Sequence, residues 1–120
     1  MNGSTLLLRQ TVPEWIVDGR LSSQTFRPFS GDFLSTYDGD MISPKCSYVH
    51  YVDTLKNRSA GVYGATLNEV TAQNLGIIED RKPYKEHISI DFSGINGNRR
   101  KTISRNLATC ADQRGCLFKP

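Results

Sequence analysis

Two histidines are the side chains of this chain best suited to acid–base chemistry, because imidazole changes its charge near neutral pH. His50 begins the segment His50-Tyr51-Val52-Asp53, and His87 begins the segment His87-Ile88-Ser89-Ile90. If the fold brought both rings to one cleft, they could act as a general acid and a general base. The simpler interpretation is that His87 opens a strand, while His50 lies on a helix surface or is satisfied in the core.

The segment that begins at His87 resembles the His-apolar-hydroxyl-apolar motif of the two-histidine phosphoesterases, in which the hydroxyl helps to hold phosphate. The segment that begins at His50 departs from that motif, because Val52 stands where the hydroxyl belongs. The resemblance implies an enzyme that acts on a phosphorylated substrate, with ribonuclease-like cleavage by a His50/His87 pair.

A second set of residues, Arg9, Ser59 and Glu69, resembles the arrangement of the arginine-serine-glutamate ADP-ribosyltransferases. The resemblance implies that Arg9 holds the phosphate of a dinucleotide and that Glu69 positions the attacking group, as in a toxin of that class. The chain lacks the Ser-Thr-Ser run and the paired acidic motif of the family, so the likeness covers three scattered residues.

Positive charge is concentrated at the carboxy-terminal end of the chain. From residue 92 to residue 120 there are six basic residues and one acidic residue, a net +5, against −2 for the rest of the chain. Four of the basic residues are Arg99, Arg100, Lys101 and Arg105. The backbone N–H groups at a helix start already favour anions, so a helix that starts here could bind phosphate or an acidic protein surface. Such binding would be salt-sensitive. The alternative is a solvated helix face.

Two further clusters have a structural interpretation and a functional one. Asp32, Asp38 and Asp40 could hold a divalent ion through oxygen ligands, although turn aspartates more often bond their own backbone. Five aromatic residues of the first third of the chain would form part of the core or, if exposed, a protein interface. They are Trp15, Phe26, Phe29, Phe33 and Tyr37.

The elements that must position these residues follow from periodicity and from turn and cap signals. We expect strands at 5–11, 33–37, 61–70, 77–78 and 87–92, a helical turn from Pro13 that ends at Gly19, an extended segment over 21–31, a helix from Ser43-Pro44 to about Asn57, and a basic helix at 99–114. This pattern predicts a small single α+β domain over residues 1–120, with a mostly antiparallel sheet and two or three helices.

Composition limits the cellular compartments in which we expect the protein to work. No apolar stretch approaches the roughly 18 residues of a membrane span, and the first ten residues lack a basic segment before their leucines, so we expect neither a transmembrane helix nor a signal peptide. Three cysteines without a C-x-x-C pair favour free thiols in the cytoplasm. We predict no cofactor and no metal.

The sequence therefore favours a non-enzymatic binding or accessory module whose basic carboxy-terminal helix engages nucleic-acid phosphate or an acidic protein. Two alternatives stay open. One is an enzyme that acts on a phosphorylated substrate through His50 and His87, or through Arg9 and Glu69. The other is an interaction module that uses the amino-terminal aromatic residues.

Overall fold

A computed structural model describes all residues from Met1 to Pro120. Its strands are β1 (Leu6–Thr11), β2 (Ile16–Val17), β3 (Arg20–Leu21), β4 (Phe33–Asp38), β5 (Gly61–Thr66), β6 (Gly76–Ile78) and β7 (His87–Asp91). Its α-helices are α1 (Pro44–Val49), α2 (Leu67–Ala72) and α3 (Gly97–Arg114). Short 3-10 turns cover Pro13–Trp15 and Ser23–Phe26, and α1 continues as a π-helical segment over His50–Thr54. The predicted α+β class, with its antiparallel sheet and carboxy-terminal helix, is confirmed.

Five strands form one antiparallel sheet in the order β5-β1-β4-β7-β6. The strand β1 pairs with β5 along its whole length, but its register with β4 extends only over Leu7↔Asp38 and Leu8↔Tyr37. After Leu8, therefore, β1 no longer pairs with β4. Arg9 is the first residue of β1 past the end of this pairing.

The larger core lies between the sheet and α3. Leu34, Ile88 and Ile90 are buried on this face, and α3 contributes Ile103 and Leu107 to the same cluster. These two positions of α3 are four apart, which places them on one side of a helix. No helix of the structure is both long and apolar enough to cross a membrane.

A smaller core covers the opposite face of the sheet. Leu7 and Leu8 are adjacent and both fully buried, because successive strand residues point to opposite faces and each face is covered. Leu8 and Tyr37 pack in the smaller cluster, against Tyr51 and Tyr84.

Ser43 begins α1 as predicted, since its hydroxyl accepts a hydrogen bond from the backbone N–H of Cys46.

Three local predictions were wrong. Gly19 does not end a helix but shares with Asp18 the positive φ angles (76° and 52°) of a tight turn between β2 and β3. The predicted strand 61–70 stops at Thr66, where Thr66 and Glu69 form a reciprocal capping box that starts α2. The segment over 21–31 contains a helical turn rather than an extended run.

Candidate active site

The register between β4 and β7 brings Ser35 next to His87. Ser35 lies opposite Ser89, and Tyr37 lies opposite His87. Ser35 and His87 are therefore diagonal neighbours on one face of the sheet, a separation that long side chains can bridge. The Ser35 Oγ lies 3.0 Å from the His87 Nε2, and the serine is exposed to solvent although the histidine is buried.

The other nitrogen of the His87 ring contacts a carboxylate. The His87 Nδ1 lies 2.7 Å from the Asp80 Oδ1, and the second carboxylate oxygen accepts a hydrogen bond from the Ser89 hydroxyl at 2.6 Å. Ser35, His87 and Asp80 thus form one continuous hydrogen-bonded chain from solvent to a carboxylate. This is the arrangement of a nucleophile, a base and a group that orients the base.

The charge of Asp80 decides which nitrogen of His87 carries the proton. Burial by itself raises the pKa of the Asp80 carboxyl, but hydrogen bonds from Ser89 and His87 outweigh it and lower that pKa below its ordinary value. Ionised Asp80 can only accept, so the Nδ1 of a neutral His87 must donate to it. The Nε2 then has a free lone pair, and the Ser35 hydroxyl donates to it, which is the proton arrangement that a general base requires.

The loop between β6 and β7 holds Asp80 in place. Arg81, the next residue, donates to the buried Asp38 carboxylate at 2.9 Å, to Glu79 at 2.8 Å and to the carbonyl of Lys85. The hydrogen bonds that Arg81 donates to Asp38 and Glu79 raise the pKa of its guanidinium, so its charge is secure. The loop is thereby fixed to the end of β4.

The side chain of Arg9, on β1, contacts the backbone of Ser35. Its Nε donates to the carbonyl oxygen of Thr25 at 2.7 Å, and its Nη1 donates to the carbonyl oxygen of Ser35 at 3.2 Å. The other three of the five N–H groups of its guanidinium have no protein acceptor, and no carboxylate pairs with it. Burial lowers the pKa of Arg9. Arg9 is partly buried and has no counter-ion, so an anion in its cleft would find an unpaired positive charge.

An open cleft of about 200 Å³ lies at Arg9 and Ser35, and neither His87 nor Asp80 lines it. Its lining includes Arg9, Arg27, Phe29, Phe33 and Ser35, and it contains no acidic residue. The side chain of Arg27 makes no hydrogen bond and no ion pair. The cleft therefore presents two uncompensated guanidinium groups beside one hydroxyl that is hydrogen-bonded to a base.

The fold brings the two predicted histidines into one aromatic cluster, with Tyr84 between them. The ring centroid of Tyr84 lies 4.6 Å from that of His50 and 5.3 Å from that of His87. His50 Nδ1 also lies 2.8 Å from the hydroxyl of Tyr37, whose pKa is raised by burial and by Tyr84. His87, however, has Ser35 and Asp80 as hydrogen-bonding partners rather than His50.

Arg9, Ser59 and Glu69 are not brought together. The Ser59 hydroxyl donates to the side chain of Gln10 at 2.7 Å. Glu69 belongs to the capping box of α2, and its carboxylate also accepts from Arg114 at 2.7 Å. These contacts form networks separate from those of Arg9.

The basic residues of α3 divide into two groups. Arg100 donates to the Asp32 carboxylate at 2.6 Å and to the carbonyl oxygens of Gly31, Phe92 and Ile95. Arg99, Lys101 and Arg105 are exposed and have no carboxylate partner. The predicted binding surface therefore consists of these three residues, and Arg100 serves the fold.

The acidic turn residues each have a different partner. Asp32 pairs with Arg100, Asp38 pairs with Arg81, and Asp40 accepts from the hydroxyl of Thr5. The structure contains no group of three or more histidine, cysteine, aspartate or glutamate side chains arranged to hold a metal ion.

The amino-terminal aromatic residues also divide. Phe26 and Tyr37 are buried, whereas Phe29 and Phe33 are exposed on the cleft and Trp15 packs against Phe29 with ring centroids 5.2 Å apart. A core role therefore describes only part of this set.

No protein-family model, curated protein or solved structure matches this chain. Sequence reasoning missed Ser35, Asp80 and Arg27. The one available signal was the alternation of Phe33, Ser35 and Tyr37 along a strand, which puts a hydroxyl between two aromatic residues on one face.

Proposed function

We propose that the protein is an enzyme that hydrolyses or transfers a phosphate ester, with Ser35 as the nucleophile. His87 is the general base, and Asp80 orients its ring and stabilises its protonated form. Arg9 holds the phosphoryl oxygens. The observation that carries the proposal is the hydrogen-bonded chain Ser35–His87–Asp80, which ends in solvent beside the uncompensated Arg9.

The charge of the cleft favours phosphate as the group attacked. Two guanidinium groups, those of Arg9 and Arg27, line it without any acidic neighbour. Guanidinium groups match the geometry of phosphate oxygens through paired hydrogen bonds. Arginine clamps also stabilise the charge on a phosphoryl group as it is transferred.

The reaction would proceed in two halves. In the first, the Oγ of Ser35 attacks phosphorus, its proton passes to the Nε2 of His87, and the bond from phosphorus to the leaving oxygen breaks as that oxygen takes the proton. In the second, water attacks the phosphoserine, gives a proton to His87, and Ser35 leaves with that proton restored. Asp80 stabilises the imidazolium that forms in each half.

Hydrolysis of bis(4-nitrophenyl) phosphate tests the proposal, with mass spectrometry of the quenched reaction to locate a phosphoryl adduct. We expect nitrophenolate release and an adduct on Ser35, and both should be lost in Ser35→Ala. The matched control is Ser30→Ala, because Ser30 lines the same cleft but makes no hydrogen bond to a histidine. Equal hydrolysis by wild type and Ser35→Ala would contradict the proposal. Preferential turnover of 4-nitrophenyl acetate would instead move the reaction to acyl transfer.

A second candidate is a non-enzymatic accessory module that binds nucleic-acid phosphate or an acidic protein through α3. It is favoured by Arg99, Lys101 and Arg105, which are exposed and free of carboxylate partners. Its test is retention of labelled DNA or RNA at low and at high salt by wild type and by Arg99→Glu/Lys101→Glu. Retention that is the same in both proteins would rule out this surface.

The proposal places the protein in a reducing compartment, the cytoplasm. Cys46, Cys110 and Cys116 are all free, and Cys46 and Cys116 are exposed. Exposed free thiols are typical of proteins that work where disulfides do not persist.

A further inference from the structure

The cleft at Ser35 continues into a second one. An adjoining cleft of about 360 Å³ is lined by Gln24, Gly97 and Arg100, and it shares the wall Arg27, Pro28 and Phe29 with the first. The ridge formed by residues 27–29 therefore has a concave surface on each side. A ligand that crosses this ridge would extend well beyond a single phosphoryl group.

Charge along this path is positive. Arg9 lies in the first cleft without a counter-ion, and Arg27 stands on the ridge with no hydrogen bond from its side chain. Arg100 lines the second cleft, although its charge is shared with Asp32. Successive cations separated along a groove match the repeated phosphates of a nucleic-acid strand.

Exposed aromatic rings border the same path. Phe29 is 75% exposed and Phe33 is 53% exposed, an unusual display for residues of this size. The ring of Trp15 packs against that of Phe29, with their centroids 5.2 Å apart. A cationic groove bordered by accessible aromatic faces is the arrangement that proteins use to bind unpaired bases by stacking.

We propose that the substrate is single-stranded nucleic acid laid across the ridge of residues 27–29. One phosphate lies on Arg9 at Ser35, a neighbouring phosphate lies on Arg27, and bases stack on Phe29 and Phe33. This inference rests on the proposed function for its scissile bond, but the binding it requires does not depend on turnover.

The test uses Ser35→Ala as the binding protein, so that no substrate is consumed, and a fluorescein-labelled single-stranded oligouridine or oligothymidine as the probe. We expect saturable binding to at least one of them, which weakens as salt is raised. Adding Phe29→Ala should weaken it by about tenfold, because one stacked base is lost. Adding Arg27→Gln should weaken it by about the same factor, because one phosphate contact is lost. Arg20→Gln is the matched control, because Arg20 is an exposed, unpaired arginine of the β2–β3 hairpin, outside both clefts.

The outcomes separate this inference from the proposed function. Binding that depends on Arg27 and Phe29, without hydrolysis by wild type, supports the strand path and contradicts the proposed chemistry. A phosphoryl adduct on Ser35 without binding of either oligonucleotide overturns the strand path and leaves the chemistry standing. Equal weakening by Arg20→Gln, or unchanged binding in Phe29→Ala, also overturns it.

Discussion

Arg9 and Arg100 belong to two cationic regions that differ in how their charge is used. Arg100, at the start of α3, makes four hydrogen bonds, one of them to Asp32. Arg9, in the cleft, makes two hydrogen bonds to carbonyl oxygens and has no carboxylate partner. The first arginine joins α3 to the loops at residues 31–32 and 92–95, and the second has three N–H groups without a protein acceptor.

Local charge density alone does not distinguish a cation that is free to bind from one that holds the fold together. The cluster from Arg99 to Lys101 is the most basic run of the sequence, yet its middle residue is committed to the fold. Arg9 has no basic neighbour in sequence, and its importance appears only when its partners are counted. An unsatisfied group in a partly buried position is a stronger indication of function than a high count of charges.

The largest expected effect comes from Arg9→Met. Because Arg9 would hold the phosphoryl oxygens in the transition state, hydrolysis of bis(4-nitrophenyl) phosphate should fall by about 10³-fold. Stability should change by no more than about 1 kcal/mol, because removal of a partly buried, unpaired charge offsets the loss of two hydrogen bonds. Turnover and urea unfolding of the same preparation measure the two effects. A large loss of stability with normal turnover would make Arg9 equivalent to Arg100 and remove the contrast.

The reverse pattern is expected for Arg100→Met. The substitution removes the Arg100 donors to the carbonyl oxygens of Gly31, Phe92 and Ile95 and to the Asp32 carboxylate, and only the Phe92 carbonyl keeps a backbone donor, from Ile95. The loss should cost about 2–4 kcal/mol of unfolding free energy. Urea unfolding measures the loss. Hydrolysis of bis(4-nitrophenyl) phosphate per folded molecule, assayed well below the unfolding midpoint, should remain within about twofold, because this substrate has no second phosphate to reach the cleft that Arg100 lines. Asp32→Asn is the companion variant. Because Asp32 and Arg100 share one ion pair, their separate losses of unfolding free energy should not add fully when both are replaced.

The sequence could predict individual elements of this fold but not the meeting of residues from different elements. The helix over 99–114, the strand at 87–92 and the cap at Ser43 follow from periodicity and capping chemistry, and the structure has all three within two residues. Ser35 and Asp80 could not be joined to His87, because their meeting depends on strand order and on the register between β4 and β7. A one-residue slip of that register would turn every side chain of β4 to the other face. Local sequence carries no information on such a long-range choice.

A smaller effect is expected in the pH dependence of stability, through Asp80. Its folded-state pKa is lowered, so its contribution to stability is present above the unfolded-state pKa, near 3.9, and is lost as the pH falls through the folded-state value. The difference in unfolding free energy between wild type and Asp80→Asn should therefore be constant near neutral pH and narrow below about pH 4. Urea titrations across that range measure it. Asp53→Asn, at an exposed aspartate without a hydrogen-bonded partner, is the control for general acid effects. A difference that widened in acid would mean that Asp80 is protonated in the folded protein, and His87 would lose its orienting anion.

The smallest expected effect is that of Arg99→Gln/Lys101→Gln. Both residues are exposed, lie in the first five residues of α3 and face the positive end of the helix dipole. Removal of their charges should raise stability slightly, by about 0.3–1 kcal/mol at low salt, and the gain should fade at high salt because exposed charges are screened. Urea unfolding at the two salt concentrations measures it. If the variant instead lost stability, these residues would hold contacts of the kind that Arg100 makes, and all of the basic run would belong to the fold. A small gain would mean that the two charges are kept at a cost, which is the behaviour expected of residues that meet an anion outside the chain.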